Sequence, residues 1–261
     1  MLIGCNLPTT LTAQGSVTPK RTRNNPVTDL PSAPWGDHWR NRREALKLAA
    51  GAAALFAAAA WGLAQPALAQ RKKAGPTDVS VEELMKPGPL PDLVLGNAEA
   101  PITVVEYASM TCGHCANFHT KVFPTLKEKY VDTGKVRFIM REFPLDNLAA
   151  AASMLARCAG EGNTLPFISV LFAKQDDWAF VKGDPRPELL KFAKQAGFTQ
   201  ESFEKCLTDQ KLLDDISAVR ARAADTFGVN STPTFFINGK KMSGGPTLDE
   251  FDKAFGSLLK S

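Results

Sequence analysis

The first part of the fold is predicted from two apolar runs and a helical stripe between them. "APITVVEYASM" (Ala100–Met110) is β-branched and nearly continuous, which predicts a strand buried on both faces of a sheet. A second strand is predicted in "GKVRFIMREFPL" (Gly134–Leu145), opened by glycine and closed by proline. Between them, apolar residues recur at every fourth position, as one stripe of a helix does: Phe118, Val122, Leu126 and Tyr130. Pro124 lies inside the stripe and should kink this helix rather than end it. Strand, helix and strand in this order predict a right-handed βαβ unit with parallel strands.

The rest of the chain is predicted to be helical first and then to return to strands. From Asn147 to about Phe227 the patterns predict several helices and no convincing strand. "TPTFFING" and "KKMSGG" then predict two strands joined by the hairpin dipeptide Asn238-Gly239. A last helix is predicted in "TLDEFDKAFGSLL", which opens with capping-box spacing.

An export signal is predicted within residues 1–69. A basic flank, "NRREALKL", precedes the apolar run "AAGAAALFAAAAWGL", and "ALA" (Ala67–Ala69) is a small-x-small cleavage site that would leave Gln70 as the new N-terminus. The pair Arg42-Arg43 resembles a twin-arginine signal, but Ala45 replaces its usual bulky residue, so the general secretory route stays open. An uncleaved membrane anchor is the disfavoured alternative, because the run is short and rich in alanine.

Charge and composition exclude one class of function. The chain has 261 residues, 44% of them apolar, which is enough for one or two domains. Its formal net charge of +4 belongs to residues 1–69, and residues 70–261 hold 24 basic and 24 acidic side chains. Nucleic-acid binding therefore has no electrostatic footprint, and we expect no nucleic-acid partner.

Two of the five cysteines, Cys112 and Cys115, lie three residues apart where the first strand gives way to the helix. With Cys112 at the helix N-cap, its sulfur would face unpaired backbone N–H groups and the positive end of the helix dipole, which favour a thiolate. His114 would add a cationic or hydrogen-bonding contribution, and Cys115 would be shielded and less acidic. A stabilised thiolate stabilises the reduced form and leaves readily, so the pair should donate its disulfide.

Other interpretations of this cysteine pair are weaker. An inert structural disulfide closing so short a loop would gain little from chain entropy. A zinc site needs two further ligands, and His119 is expected to be a surface residue of the helix. A copper-binding thiol pair is also conceivable. We expect no bound metal and no dissociable cofactor, because the cysteines themselves are the redox centre.

These segments resemble the thioredoxin superfamily, and specifically its DsbA-like thiol:disulfide oxidoreductases of the bacterial periplasm. The resemblance covers roughly Leu93–Leu259 and rests on "VVEYASMTCGHC", on "VNSTPTFFINGKKMSGG" and on the proline in the helix. It implies an α/β thioredoxin fold, a central mixed sheet with flanking helices and an inserted helical domain. The predicted division is a leader with its signal (1–69), an N-terminal arm with a short helix (70–97), a βαβ half (98–146), a helical insertion (147–215) and a ββα half (216–261).

The resemblance also implies roles for particular residues. The Thr232–Pro233 bond should be cis and lie beside the Cys112 sulfur, so that Thr232 offers its main chain to an extended substrate; a trans proline is the alternative. Glu106, six residues before Cys112, occupies the place of the family's acidic residue. As a costly buried carboxylate it should take the proton of Cys115, unless it faces solvent at the strand end.

Two further points concern the remaining cysteines and the residues between the active pair. Cys158 and Cys206 are predicted to form a structural disulfide in the insertion, as in some DsbA-like proteins; free buried thiols are the alternative. Gly113-His114 departs from the proline and histidine usual in DsbA and resembles the disulfide isomerases, which leaves isomerase activity open.

The expected function is oxidation of newly exported polypeptides in the periplasm through a mixed disulfide at Cys112. A membrane quinone-linked partner resembling DsbB would reoxidise the pair, and the protein should be a monomer. An isomerase or reductase is less favoured, because 28 residues of arm are too few for a separate dimerisation domain. A metal chaperone using the two thiols and a histidine is the alternative from another class.

Overall fold

The computed structural model describes residues 78–260. The predicted leader, its cleavage site and the first eight residues of the arm lie outside the described residues. No helix within residues 78–260 combines the length and apolar character that crossing a membrane requires.

A five-stranded mixed sheet forms the centre of the fold, in the order β1-β3-β2-β4-β5. Its strands are β1 (Leu93–Leu95), β2 (Ile102–Ala108), β3 (Val136–Glu142), β4 (Thr234–Ile237) and β5 (Lys240–Ser243). The two predicted apolar runs are the neighbours β2 and β3, and they are parallel as predicted. The other pairs are antiparallel. Asn238 and Gly239 make the predicted tight turn, with φ of 44° and 86°.

The N-terminal arm contains a strand that the sequence did not predict. Leu93–Leu95 pairs antiparallel with β3 at the sheet edge, with Leu93 opposite Met140. Three residues are too few to show an alternating pattern, and the prolines before them indicated an irregular segment. The short helix of the arm was predicted and is α1 (Val81–Met85), capped by the Ser80 side chain.

Helices cover both faces of the sheet. After α1 they are α2 (Gly113–Asn117), α3 (Phe123–Leu126), α4 (Asn147–Cys158), α5 (Thr164–Ala173), α6 (Gln175–Trp178), α7 (Arg186–Gln195), α8 (Gln200–Leu207), α9 (Gln210–Asp225) and α10 (Leu248–Leu258). The predicted boundary between insertion and second half, at 215/216, falls inside α9. The pattern of α9 is continuous, so nothing in its sequence marks where the insertion ends.

The helix after the cysteines, residues 113–131, is a composite. A π-helical turn, Phe118–Val122, separates α2 from α3, and a second one, Lys127–Val131, follows α3. Four residues of an α-helix overshoot one turn by about 40°, so a strict four-residue stripe would drift around it. The wider π turns correct this drift, and Phe118, Leu126 and Tyr130 are all buried. The helix continues past Pro124, as predicted, directly after the first π turn.

The core lies on both faces of the sheet and positions the composite helix. On one face, Val104, Phe138 and Phe235 pack in a cluster that includes Phe118 of the composite helix and Phe251 of α10. The opposite face carries a smaller cluster with α1 and α9, made of residues such as Val105, Tyr107 and Phe236. The composite helix thus rests on β2 and β4, with its N-terminus at the end of β2.

Candidate active site

Cys112 caps the composite helix, as the sequence predicts. It has extended backbone angles (φ −89°, ψ 115°), and its Sγ accepts a hydrogen bond from the Cys115 N–H at 3.4 Å. Only 7% of the residue is exposed, and Cys115, one turn further, is fully buried. Both are free thiols in this structure.

The surroundings lower the pKa of Cys112 from 9.0 to about 5. The strongest cause is hydrogen bonding from the Cys115 side chain, which outweighs the opposing effect of burial. The Thr232 side chain and the backbone N–H groups of Cys115 and His114 lower it further. Cys112 is therefore a thiolate at neutral pH.

Cys115 is shifted in the opposite direction. Burial raises the pKa of its thiol far above the ordinary value, and hydrogen bonding to Cys112 and the charge of Glu106 raise it further. Two sulfurs three residues apart thus differ in protonation: the outer one is ionised and the inner one keeps its proton.

His114 affects the pKa of Cys112 through its backbone in this structure. The residue is exposed, and within residues 78–260 its imidazole has no hydrogen-bond partner. Its backbone N–H is among the groups that lower the pKa of Cys112. The sequence predicts instead that the imidazole ring of His114 stabilises the Cys112 thiolate.

The loop before β4 lies against the outer sulfur. The Thr232–Pro233 bond is cis, as the resemblance implies. The Cys112 Sγ donates to the Thr232 carbonyl oxygen at 3.3 Å when it carries its proton. The Thr232 Oγ1 is buried and has no hydrogen-bond partner among the described residues. Its hydroxyl is thus free to donate to the ionised sulfur.

Glu106 is fully buried in β2, which excludes the solvent-facing alternative. Its Oε2 lies 2.8 Å from the Nε2 of His119, and its Oε1 is buried without a hydrogen-bond partner in residues 78–260. The expectation that His119 is a surface residue is wrong, because only 7% of its side chain is exposed. Its ring stacks on Phe172 of α5, with centroids 4.5 Å apart. The missed signal is spacing: His119 is four residues after Cys115, on the same helical face.

Gln175 is a second site residue that the sequence analysis missed. It starts α6 in the insertion, and its side chain is buried. Its Nε2 donates to the carbonyl oxygens of Met110 at 2.8 Å and Cys112 at 3.2 Å. The insertion thereby holds the turn that presents Cys112. No local pattern distinguishes this glutamine from a surface residue.

Cys158 and Cys206 form a disulfide, as predicted, with Sγ atoms 2.13 Å apart. It joins the end of α4 to α8. Within residues 78–260, no group of three or more His, Cys, Asp or Glu side chains is arranged to hold a metal ion.

Comparisons with known proteins agree with this geometry. A family model described as "Thioredoxin" matches residues 90–256. The chain is 40% identical over 149 residues to a Rickettsia bellii protein named "Putative protein-disulfide oxidoreductase", a match covering 57% of each chain. A Rickettsia typhi protein of the same name is 37% identical over 170 residues, covering 65% of this chain and 62% of the relative. The chain thus spans about three fifths of the length of these curated relatives.

Solved structures extend the similarity to three dimensions. Wolbachia pipientis alpha-DsbA1 is 36% identical, with a TM-score of 0.61, over 68% of this chain and 97% of that one. BdbD from Bacillus subtilis has a TM-score of 0.56 over 65% of this chain and 94% of its own, at 23% identity, and shows the fold alone.

Proposed function

The chain belongs to the thioredoxin family as a DsbA-like member, and from this premise we propose that it donates the Cys112–Cys115 disulfide to exported polypeptides. The proposed enzyme is a protein disulfide oxidoreductase. It needs no dissociable cofactor, because the two sulfurs carry the electrons. The protein-disulfide oxidoreductase names of the Rickettsia relatives support this activity.

The first step is attack by a client thiolate on the Cys112 sulfur of the oxidised pair. The Cys112–Cys115 bond breaks, a client–Cys112 disulfide forms, and Cys115 leaves as a thiolate. Because burial strongly favours the thiol form of Cys115, this sulfur then takes up a proton. Glu106 is the proposed proton donor for this step and the acceptor for its reverse.

The second step completes the client's disulfide. A second client thiolate attacks the client sulfur of the mixed disulfide, and Cys112 leaves with the bonding electrons. A thiolate of low pKa is a good leaving group, and a pKa of about 5 gives Cys112 that property. The client is oxidised and the protein is left with an ionised Cys112 and a protonated Cys115.

The single observation that carries the proposal is the opposite shift of the two cysteine pKa values. A thiolate stabilised in the reduced protein makes the disulfide form the more reactive oxidant. An inert structural disulfide has no need of such a difference.

The loop before β4 is the proposed docking site for the client. Thr232 lies against Cys112 through its carbonyl oxygen, and in this proposal its main chain pairs with an extended client segment. Pro233, in cis, completes that loop. The proposed location is the periplasm, and the proposed partner for reoxidation is a membrane protein resembling DsbB. We propose that the protein acts as a monomer.

The test is oxidation of reduced, unfolded ribonuclease by the oxidised protein. The wild-type protein should restore ribonuclease disulfides, and Cys112→Ser should be inactive. Cys115→Ser should also give no net oxidation, because without Cys115 the protein has no Cys112–Cys115 disulfide to donate. Ribonuclease oxidation that survives Cys112→Ser would overturn the proposal. Equilibration with a glutathione buffer separates an oxidase from a reductase, whose disulfide would persist at a more reducing poise.

A further inference from the structure

The buried pair Glu106–His119 points to a function for the histidine. We propose that His119 is a positioning residue: its Nε2–H holds Oε2 of Glu106, so that Oε1 remains the oxygen that exchanges a proton with Cys115. This proposal rests on the proposed function and adds a residue to its proton-transfer step.

The contacts of Glu106 differ between its two oxygens. Oε2 is engaged by His119 at 2.8 Å, whereas Oε1 has no hydrogen-bond partner in the described chain, although both oxygens are buried. A buried polar atom without a partner costs free energy, so a native protein keeps one where it has a use. The carboxylate is close enough to raise the pKa of the Cys115 thiol.

The neighbours of this carboxylate within residues 78–260 come from three elements. The composite helix brings Cys115 and His119 close to it, while β3 and β4 place Met140 and Phe235 beside it in register. His119 is held in turn by Phe172, whose ring lies parallel to the imidazole within 14°. His119 is therefore the side chain that holds Oε2 of Glu106 in place.

The effect of this contact is to orient the carboxylate. A hydrogen bond on Oε2 fixes the rotation of the Glu106 side chain, so that Oε1 stays the oxygen available for proton exchange. A base held in one orientation transfers a proton more efficiently than one that is free to rotate. Without His119, Glu106 would be a poorer base for Cys115.

The step in question is attack by Cys115 on a mixed disulfide at Cys112. The proton of the Cys115 thiol passes to Oε1 of Glu106, which becomes a neutral carboxyl. The Cys115 thiolate attacks Cys112 Sγ, the Cys112–Cys115 bond forms, and the former partner leaves as a thiolate. The protein is oxidised by two electrons and the departing disulfide partner is reduced.

A two-phase assay isolates this step. Reduced protein is mixed with an aromatic disulfide that releases a coloured thiolate. Attack by Cys112 releases the first equivalent, and attack by Cys115 on the mixed disulfide releases the second. The first phase is an internal control for folding and for the acidity of Cys112, because it does not require Cys115 to lose its proton.

Two substitutions separate the effect of the His119 N–H donor from the effect of its aromatic ring. His119→Phe retains an aromatic ring against Phe172 but has no N–H, and His119→Gln retains an N–H donor at a similar reach. General-base assistance typically contributes about 100-fold, so Glu106→Gln should slow the second phase by about that factor while leaving it measurable. His119→Phe should slow the second phase at least about tenfold. His119→Gln should stay within about threefold, and the first phase should be unchanged in all variants.

A double variant tests whether His119 acts through Glu106, and the rate of the first phase shows whether each variant is folded. If His119 acts through Glu106, adding His119→Phe to Glu106→Gln should produce no further slowing. Equal second phases in the wild type and His119→Phe, or additive losses in the double variant, would overturn the proposal. These results are independent of the ribonuclease assay: a protein that does not oxidise ribonuclease but passes this test would refute the proposed function alone.

Discussion

Replacing Cys115 tests what controls the acidity of Cys112. Hydrogen bonding from the Cys115 side chain is the largest cause of the low pKa of Cys112. Cys115→Ala removes that donor, whereas Cys115→Ser replaces the S–H by an O–H at the same place. The alanine variant should therefore have a less acidic Cys112 than the serine variant, although neither can form the disulfide.

The size of the effect follows from the strength of such hydrogen bonds. A hydrogen bond to a charged group contributes about 1.5–3 kcal/mol, and one pKa unit corresponds to about 1.4 kcal/mol. Cys115→Ala should thus raise the pKa of Cys112 by about one to two units, from about 5 to about 6–7. At about pH 6, the ionised fraction would fall from about nine tenths to between about one half and one tenth.

The assay is the rate of alkylation of the single remaining thiol between about pH 4 and pH 9. Within residues 78–260 each variant keeps one free cysteine, Cys112, since Cys158 and Cys206 are joined in a disulfide; Cys5, outside that range, is replaced by serine in all the proteins compared. The serine variant should show its inflection near that of the wild-type protein, with the alanine variant displaced to higher pH. Identical curves for the two variants would refute the role of the Cys115 donor. An inflection near the ordinary thiol value in the wild type would refute the acidity of Cys112 altogether.

Three further outcomes are expected. First, the pKa of Cys112 is lower in the folded protein, about 5, than in the unfolded chain, near 9, so ionisation of Cys112 stabilises the reduced protein. This contribution is complete above about pH 9 and is lost as the pH falls toward about 5. Relative to reduced Cys112→Ser, the reduced protein should therefore lose thermal stability from about pH 8 to about pH 5, and a constant difference would contradict this. Second, Gln175→Leu should lower the free energy of unfolding by about 1–3 kcal/mol in denaturant titrations, because two carbonyl oxygens lose their donor; an unchanged midpoint would contradict it. Third, replacing both Cys158 and Cys206 by alanine should cost about 2–5 kcal/mol in the same titration, since the bond spans 48 residues. Alkylation of Cys112 should then be unaffected, and a changed rate would show unexpected coupling to the site.

The sequence predicted the parts of the fold whose patterns are long and regular. The parallel strands β2 and β3 are seven residues each, and their apolar runs identified them. Strand β1 has three residues and escaped detection, because its place in the sheet depends on pairing with β3 and not on its own pattern. The end of the insertion has no local sequence signal for a related reason, since α9 is one continuous helix of 16 residues across the predicted boundary.

In the candidate site, too, the sequence identified only the residues whose own type and spacing are distinctive. Cys112, Cys115 and the Thr232-Pro233 dipeptide were identified because their residue types and spacing are unusual in themselves. His119 and Gln175 were missed because a histidine or glutamine in a helical pattern looks like a surface residue. Each becomes meaningful only through a partner distant in sequence: Glu106 for His119, and the carbonyl oxygens of Met110 and Cys112 for Gln175.

The residues between the two cysteines matter less to the acidity of Cys112 than the sequence suggested. Apart from the Cys115 side chain, the groups that lower this pKa are the Thr232 side chain and backbone N–H groups of Cys115 and His114. Any residue except proline at position 114 supplies the same backbone N–H, and Thr232 lies 120 residues away along the chain. Glycine at position 113 in place of the proline usual in DsbA therefore leaves these donors intact. It follows that the departure at Gly113-His114 is weak evidence against the proposed oxidising role, because the groups that lower the pKa of Cys112 are retained.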